Sequence, residues 1–131
     1  MARLPAVGTW HYPPNMTLRW EEVVVDCRNF SVLGHWWADA LGWDIIDESD
    51  EEIELRDPRS SGPTLFFGNV PESKTVKNRL HLDFVPDDQD AEVARLIAMG
   101  ARRVDIGQGE TSWVVLADPE GNEFCVLSAR P

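Results

Sequence analysis

Acidic, thiol and imidazole side chains recur at alternate positions in three β-branched stretches of the sequence. Glu22 lies in RWEEVVVDC, His81 and Asp83 lie in LHLDFV, and Cys125 lies in NEFCVLS. Because successive side chains of a strand point to opposite faces, His81 and Asp83 share one face of their strand. A carboxylate or an imidazole on such a face can act as a general base, and a thiolate beside them could hold zinc.

A purely structural role is the alternative for each of these groups. Glu22 and His81 lie in the middle of predicted strands, where a buried charge needs a reason, so both interpretations stay open. Glu123 lies at a strand end, and we expect it to reach solvent or to pair with Lys77 or Arg79.

Two helices are predicted from apolar residues at helical spacing. The first, FSVLGHWWADAL, ends at Gly42, which suits a left-handed C-terminal position. The second, DDQDAEVARLIAMG, begins with Asp87 or Asp88 as its N-cap. Its inward-facing residues are predicted to be Val93, Leu96 and Ile97.

Eight strands complete the pattern, and the order strand, helix and three strands occurs twice. The strands are RWEEVVVDC, WDIID, EIELR and TLFFGNV in the first half, and LHLDFV, RRVDIG, SWVVLAD and NEFCVLS in the second. The two halves correspond, since the four residues from Glu22 match the four from His81 at an offset of 59. The sequence therefore predicts two βαβββ modules. The predicted divisions are an irregular tail 1–19 and a domain 20–131, with module one at about 20–70, a linker at 71–79 and module two at about 80–128.

Composition restricts the partners of this chain. The 131 residues include 12 Lys+Arg and 23 Asp+Glu, which gives a formal charge of −11. Such an acidic protein is not expected to bind nucleic acid or anionic lipid, because phosphate recognition needs a basic stripe. No apolar run reaches the roughly 18 residues of a membrane span, and the first residues lack the apolar stretch of a secretory signal. We therefore expect a cytoplasmic protein.

The two cysteines, Cys27 and Cys125, form neither a C-x-x-C pair nor a disulfide framework. Zinc-finger and thioredoxin-like proteins are excluded on this ground. Strand alternation places the two thiols on opposite faces, so a disulfide between them is not expected. A cysteine such as Cys125 is more often a small buried apolar residue than a nucleophile.

Three segments together resemble the vicinal-oxygen-chelate superfamily, which comprises glyoxalase, bleomycin-resistance and dioxygenase proteins. They are WWADALGW (36–43), RLHLDF (79–84) and DPEGNEFCVL (118–127). The likeness is greatest to its glyoxalase-like subgroup. The resemblance implies an α+β fold in which two βαβββ modules form paired half-barrel sheets around a cleft, and it implies a homodimer.

The resemblance also identifies candidate site positions. Metal-dependent members take their ligands from strands one, four, five and eight, which correspond here to Glu22, Phe67, His81 and Cys125. Phe67 cannot bind a metal, and Cys125 stands where the family has Glu. We therefore expect no resident metal, although a thiolate beside His and Glu could hold a divalent ion.

We expect the protein to bind a small, cationic or aromatic molecule in the cleft between its modules. The ligand-binding residues that we predict are Glu22, Phe67, His81, Asp83 and Cys125. The alternative is an enzyme of lyase, isomerase or dioxygenase type, with Glu22 or His81 as general base or metal ligand. The sequence does not decide between these alternatives, and it identifies no catalytic residue.

Overall fold

The computed structural model describes residues 17–130, so most of the predicted tail 1–19 lies outside the described residues. The elements of the first half are β1 (Glu22–Cys27), α1 (Phe30–Leu41), β2 (Asp44–Glu48), β3 (Glu52–Arg56) and β4 (Thr64–Asn69). Those of the second half are β5 (Leu82–Phe84), α2 (Gln89–Ala98), β6 (Arg102–Arg103), β7 (Val114–Ala117) and β8 (Glu123–Val126). The predicted α+β class and the repeated βαβββ order are confirmed.

The contacts of the chain divide it into two compact units, with the boundary after Asn69. Each unit holds one open sheet of four strands, with the order β1-β4-β3-β2 in the first and β5-β8-β7-β6 in the second. In each sheet one pair of strands is parallel, β1 with β4 and β5 with β8, and the other pairs are antiparallel. Residues 17–130 contain no helix that is long and apolar enough to cross a membrane.

Helix α1 covers the apolar face of the first sheet. Asn29 caps its first turn by accepting a hydrogen bond from the amide of Val32, and Gly42 ends it with a φ of 66°. The helix lies so close to β3 that a Cβ added to Gly34 would be 2.2 Å from Cγ2 of Ile53. Ile53 and Phe67, which are aligned in the sheet, are both fully buried. Gly34 therefore permits the close contact that forms this core.

Helix α2 packs against β6 and β8 in the second unit. Asp88 is its N-cap and accepts a hydrogen bond from the amide of Ala91. Val93 and Leu96 are buried, as predicted, but Ile97 is 39% exposed, so its predicted inward position is wrong. Ile97 lies at the margin of the apolar stripe, and β6, the edge strand beside α2, is only two residues long.

Asp118 organises the turn between β7 and β8. Its side chain is fully buried, and Oδ1 accepts hydrogen bonds from the amides of Glu120 and Asn122. Gly121 has a φ of 91°, a conformation that costs glycine little. The predicted turn in the segment DPEG is thereby confirmed, and it fixes the start of the strand that carries Cys125.

Candidate functional site

His81, Asp83 and Cys125 form one cluster on the second sheet. Asp83 in β5 is aligned with Cys125 in β8, and His81 precedes β5 by one residue. Nε2 of His81 lies 3.2 Å from Oδ1 of Asp83. One ligand atom from each of the three residues lies within 4.8 Å of the other two. The structure thus brings together three of the residues that the sequence analysis predicts for ligand binding.

Exposure differs strongly within this cluster. The side chains of His81 and Asp83 are 42% and 49% exposed, whereas Cys125 is only 4% exposed. Burial, followed by the charge of Asp83 and its hydrogen bond with the thiol, raises the pKa of Cys125 to about 11, against a smaller opposing effect of Lys77. At neutral pH Cys125 is therefore a thiol, which does not favour a role as a free nucleophile.

Glu123 lies on the same face of β8 as Cys125 and is fully engaged by the chain that leads to β5. Its Oε2 lies 2.6 Å from Nζ of Lys74, and its Oε1 accepts a hydrogen bond of 2.7 Å from the amide of Asn78. The side chain is only 8% exposed. The expected contact with solvent, Lys77 or Arg79 is therefore wrong, and the cation is Lys74.

The environment of Glu123 favours its charged form. Burial acts to raise the pKa of this carboxyl, but the hydrogen bonds from Lys74 and Asn78, together with the charge of Lys74, outweigh burial and hold the pKa below its usual value. A carboxylate with both oxygens engaged by donors gains a charge-assisted interaction at each oxygen. Glu123 is consequently a structural anion beside the cluster.

A cavity of about 510 Å³ opens in the second unit over residues 103–115. Arg103, Gln108, Glu110, Trp113 and Val115 are among its lining residues. Val115 is aligned with Cys125 across the β7–β8 pair, so one residue of the cavity lining lies beside the cluster in the sheet. We call the face that carries His81, Asp83, Glu123, Cys125 and Val115 the polar face of the second sheet.

Hydrogen bonds order the loop that forms the cavity wall. Oγ1 of Thr111 donates to the carbonyl of Trp113 at 2.8 Å, and Nε2 of Gln89 donates to the carbonyl of Ser112 at 2.8 Å. Oε1 of Gln108 accepts from the amide of Ile106. This site was not predicted from the sequence, because residues 108–111 belong to no predicted element and carry no recognisable motif.

The first sheet places Glu22 and Phe67 on opposite faces. Val24 is aligned with Phe66, and Val25 is aligned with Phe67. Because Glu22 and Val24 share a face, the residue of β4 on that face is Phe66. Phe67 is fully buried, on the face that α1 covers. The structure therefore does not bring Phe67 to the side of Glu22, which is half-buried.

The internal repeat contains a signal for this difference. The offset of 59 that relates Glu22 to His81 also relates Val24 to Asp83 and Phe66 to Cys125. Val24 is aligned with Phe66 in the first sheet, just as Asp83 is aligned with Cys125 in the second. Applied to strand four, the same offset identifies Phe66 as the counterpart of Cys125. Phe66 is no more able to bind a metal than Phe67, so the first unit still lacks a strand-four ligand.

The family model of the glyoxalase-like domain matches residues 22–127, and the chain belongs to this family. The match covers all ten elements of the fold. No curated protein matches the chain.

Solved structures of the glyoxalase/bleomycin resistance/dioxygenase group share the fold. A family enzyme from Burkholderia phytofirmans has a TM-score of 0.67 at 18% identity, with 86% of this chain and 100% of that chain covered. A glyoxalase/bleomycin resistance protein from Albidiferax ferrireducens has a TM-score of 0.60 at 23% identity, with 86% and 98% covered. The fosfomycin resistance protein FosX from Listeria monocytogenes, solved with Mn(II) and 1S,2S-dihydroxypropylphosphonic acid, has a TM-score of 0.66 at 14% identity, with 88% and 93% covered.

Proposed function

We propose that this glyoxalase-like protein binds a small aromatic molecule with a cationic group in the cavity of its second unit. The observation that supports this proposal is the cavity of about 510 Å³, whose lining residue Val115 is aligned with Cys125 of the His81–Asp83–Cys125 cluster. Ligand pockets of small molecules typically have volumes of about 300–1,000 Å³ and a few polar groups that fix orientation. The cavity has this size and carries charged, amide and aromatic side chains.

Trp113 in the lining favours a ligand with an aromatic ring, and the acidity of the protein favours a positive charge on it. Trp113 is 41% exposed, so its indole is available for stacking, and a cation over such a ring gains about 0.5–2 kcal/mol. The carboxylates of Glu110 and Asp83 supply opposite charge on the wall and on the adjacent sheet. The formal charge of −11 further attracts cations to the protein.

Titration of the labelled protein with a panel of aromatic ammonium compounds tests this proposal. Amide chemical shifts of residues 103–115 should move on addition of a binding compound, and the neutral analogue should bind more weakly. Trp113→Leu should weaken binding about fivefold, as the loss of about 1 kcal/mol implies. Trp20→Leu, which removes an exposed tryptophan of the first unit, is the matched control. Shifts confined to other residues, or no binding by the whole panel, would contradict the proposal.

A divalent cation at His81, Asp83 and Cys125 is the second candidate function, favoured by the proximity of the three ligand atoms. Imidazole, carboxylate and thiolate are the donors that proteins use for Zn²⁺, and three protein ligands leave a fourth position open. The high pKa of Cys125 means that binding must release the thiol proton, so affinity should rise with pH.

A bound divalent ion would supply Lewis-acid activation of a carbonyl or of water. Independently of an ion, Asp83 lies where it can orient the imidazole of His81 through the contact of 3.2 Å. His81 could then take a proton next to a carbonyl as general base. This is the enzymatic alternative that the sequence analysis leaves open.

Metal analysis of the purified protein and titration with Co²⁺ test the second candidate. We expect one equivalent of bound ion and the absorption of a thiolate-bound Co²⁺, both lost in Cys125→Ser and His81→Ala. Cys27→Ser, which changes the other buried thiol, should retain both signals. Equal metal content in wild type and Cys125→Ser would show that the ion binds elsewhere.

The resemblance to the superfamily further supports a homodimer, which we propose as the assembly. Light scattering of the purified chain should give twice the monomer mass of 14.8 kDa, and a monomeric mass at all concentrations would refute it.

A further inference from the structure

We propose that the Glu123 carboxylate is a positioning residue for His81, because it fixes the chain segment that leads to β5. This inference rests on the proposed function of the cluster, and it concerns a residue outside the cluster. Lys74 and Asn78, the two partners of Glu123, precede His81 by seven and three residues. One buried side chain therefore holds the segment from residue 74 to residue 78 at two points.

The location of Glu123 explains why this contact affects the cluster. Glu123 and Cys125 are separated by one residue of β8 and lie on the same face, and Cys125 is aligned with Asp83. The segment tied to Glu123 continues directly into His81, which lies before the first residue of β5. His81 lies one residue before β5 and only three residues after Asn78, so the place of the segment that Glu123 holds affects the place of His81 beside Asp83.

The strength of the contact is consistent with this role. Oε1 accepts from the Asn78 amide at 2.7 Å, and Oε2 lies 2.6 Å from the ammonium of Lys74. The ion pair is largely removed from solvent, with the side chains 8% and 21% exposed. Breaking such a pair by removing one partner leaves the other uncompensated, so the segment should detach rather than shift slightly.

The segment also carries a charge to the cluster. Lys77 lies close enough to Cys125 to act against the rise in the pKa of its thiol. Loss of the Glu123 contact should therefore displace two side chains from the cluster, the ammonium of Lys77 and the imidazole of His81. Residues 71–79 have no periodicity that would assign them a place on the sheet, so the sequence alone does not reveal this relation.

Nuclear magnetic resonance of the metal-free protein tests the inference directly. Wild type should show cross-relaxation between the ring protons of His81 and the β-protons of Cys125, together with slow amide exchange at Asn78. Glu123→Gln and Lys74→Met should lose the cross-relaxation and exchange this amide faster. Lys74→Arg, which keeps the ion pair, should restore both signals. Unchanged cross-relaxation in Glu123→Gln and Lys74→Met would overturn the inference.

Zinc affinity provides a second readout. Removal of groups that orient metal ligands typically costs 10–100-fold in affinity, and we expect a loss of about this size in Glu123→Gln. Glu72→Gln, an exposed carboxylate in the same linker, makes the same charge change and should leave affinity unaltered. If the wild-type protein binds no zinc, the proposed metal site is refuted but the role of Glu123 is not. That role is decided by the cross-relaxation between His81 and Cys125 in the metal-free protein. Native amide shifts in α2 and β7, which belong to the second unit but lie outside the contact, establish that this unit is folded in each variant.

Discussion

Ionisation of Cys125 should respond to Asp83 by an amount that the structure bounds. The pKa of this thiol rises from 9.0 to about 11, first because of burial and second because of the charge and hydrogen bond of Asp83. Asp83→Asn removes the second cause and leaves the first. The thiol pKa should therefore fall in the variant but remain above 9.0.

Alkylation with iodoacetamide measures this change, in a Cys27→Ala background that leaves one thiol. At pH 9 a thiol with a pKa of 9 is about half ionised, whereas one with a pKa of 11 is about 1% ionised. The reaction of Cys125 should be roughly 50-fold slower than that of an ordinary thiol on this ground alone. In Asp83→Asn the midpoint of the pH–rate profile should move down. A wild-type midpoint near 9, or the same midpoint in both proteins, would refute the reasoning.

The same shift has a consequence for stability. A thiol whose pKa is raised by folding contributes stability that is present below its unfolded pKa of 9.0 and is lost as pH rises towards 11. Two pKa units correspond to about 2–3 kcal/mol. Because lysines and tyrosine titrate in the same range, the informative quantity is the difference in unfolding free energy between wild type and Cys125→Ser. This difference should shrink between pH 9 and 11, and a constant difference would contradict the assignment.

Three further predictions concern the core, the turn and the buried carboxylate. Gly34→Ala should lower the unfolding free energy by about 1–3 kcal/mol in urea denaturation, because the new Cβ would meet the buried Ile53 at 2.2 Å. In an Ile53→Ala background the same Gly34→Ala change should cost less, and an equal cost in both backgrounds would contradict this reason. Asp118→Ala should cost about 1–3 kcal/mol because the amides of the turn lose their acceptor, and unchanged thermal stability would contradict this. The stability advantage of wild type over Glu123→Gln should be complete above pH 4.5 and should shrink as pH falls, because the carboxyl pKa is held below its usual value.

Local patterns predicted the fold because they are set by neighbouring residues. Helical spacing and the glycine after Leu41 located α1, and strand alternation placed His81 with Asp83 on one face. Alternation does not determine the register between strands, which is why Phe67 was assigned to the position that Phe66 occupies. The partner of Glu123 could not be predicted either, since Lys74 lies in a segment whose path over the sheet depends on tertiary contacts.

Comparison of the two repeats shows that the donor side chains lie mostly in the second unit. At the common offset of 59, His81, Asp83 and Cys125 correspond to Glu22, Val24 and Phe66, so two of the three donor positions are apolar in the first unit.

The second unit by itself supplies three donors, an imidazole, a carboxylate and a thiol. Three is the number of protein ligands in an open zinc site. Glu22→Gln is therefore expected to leave Zn²⁺ affinity unchanged, whereas Asp83→Asn should weaken it. The arrangement implied by the superfamily, with a ligand on strand one, predicts the reverse, so zinc titration of these two variants decides between them.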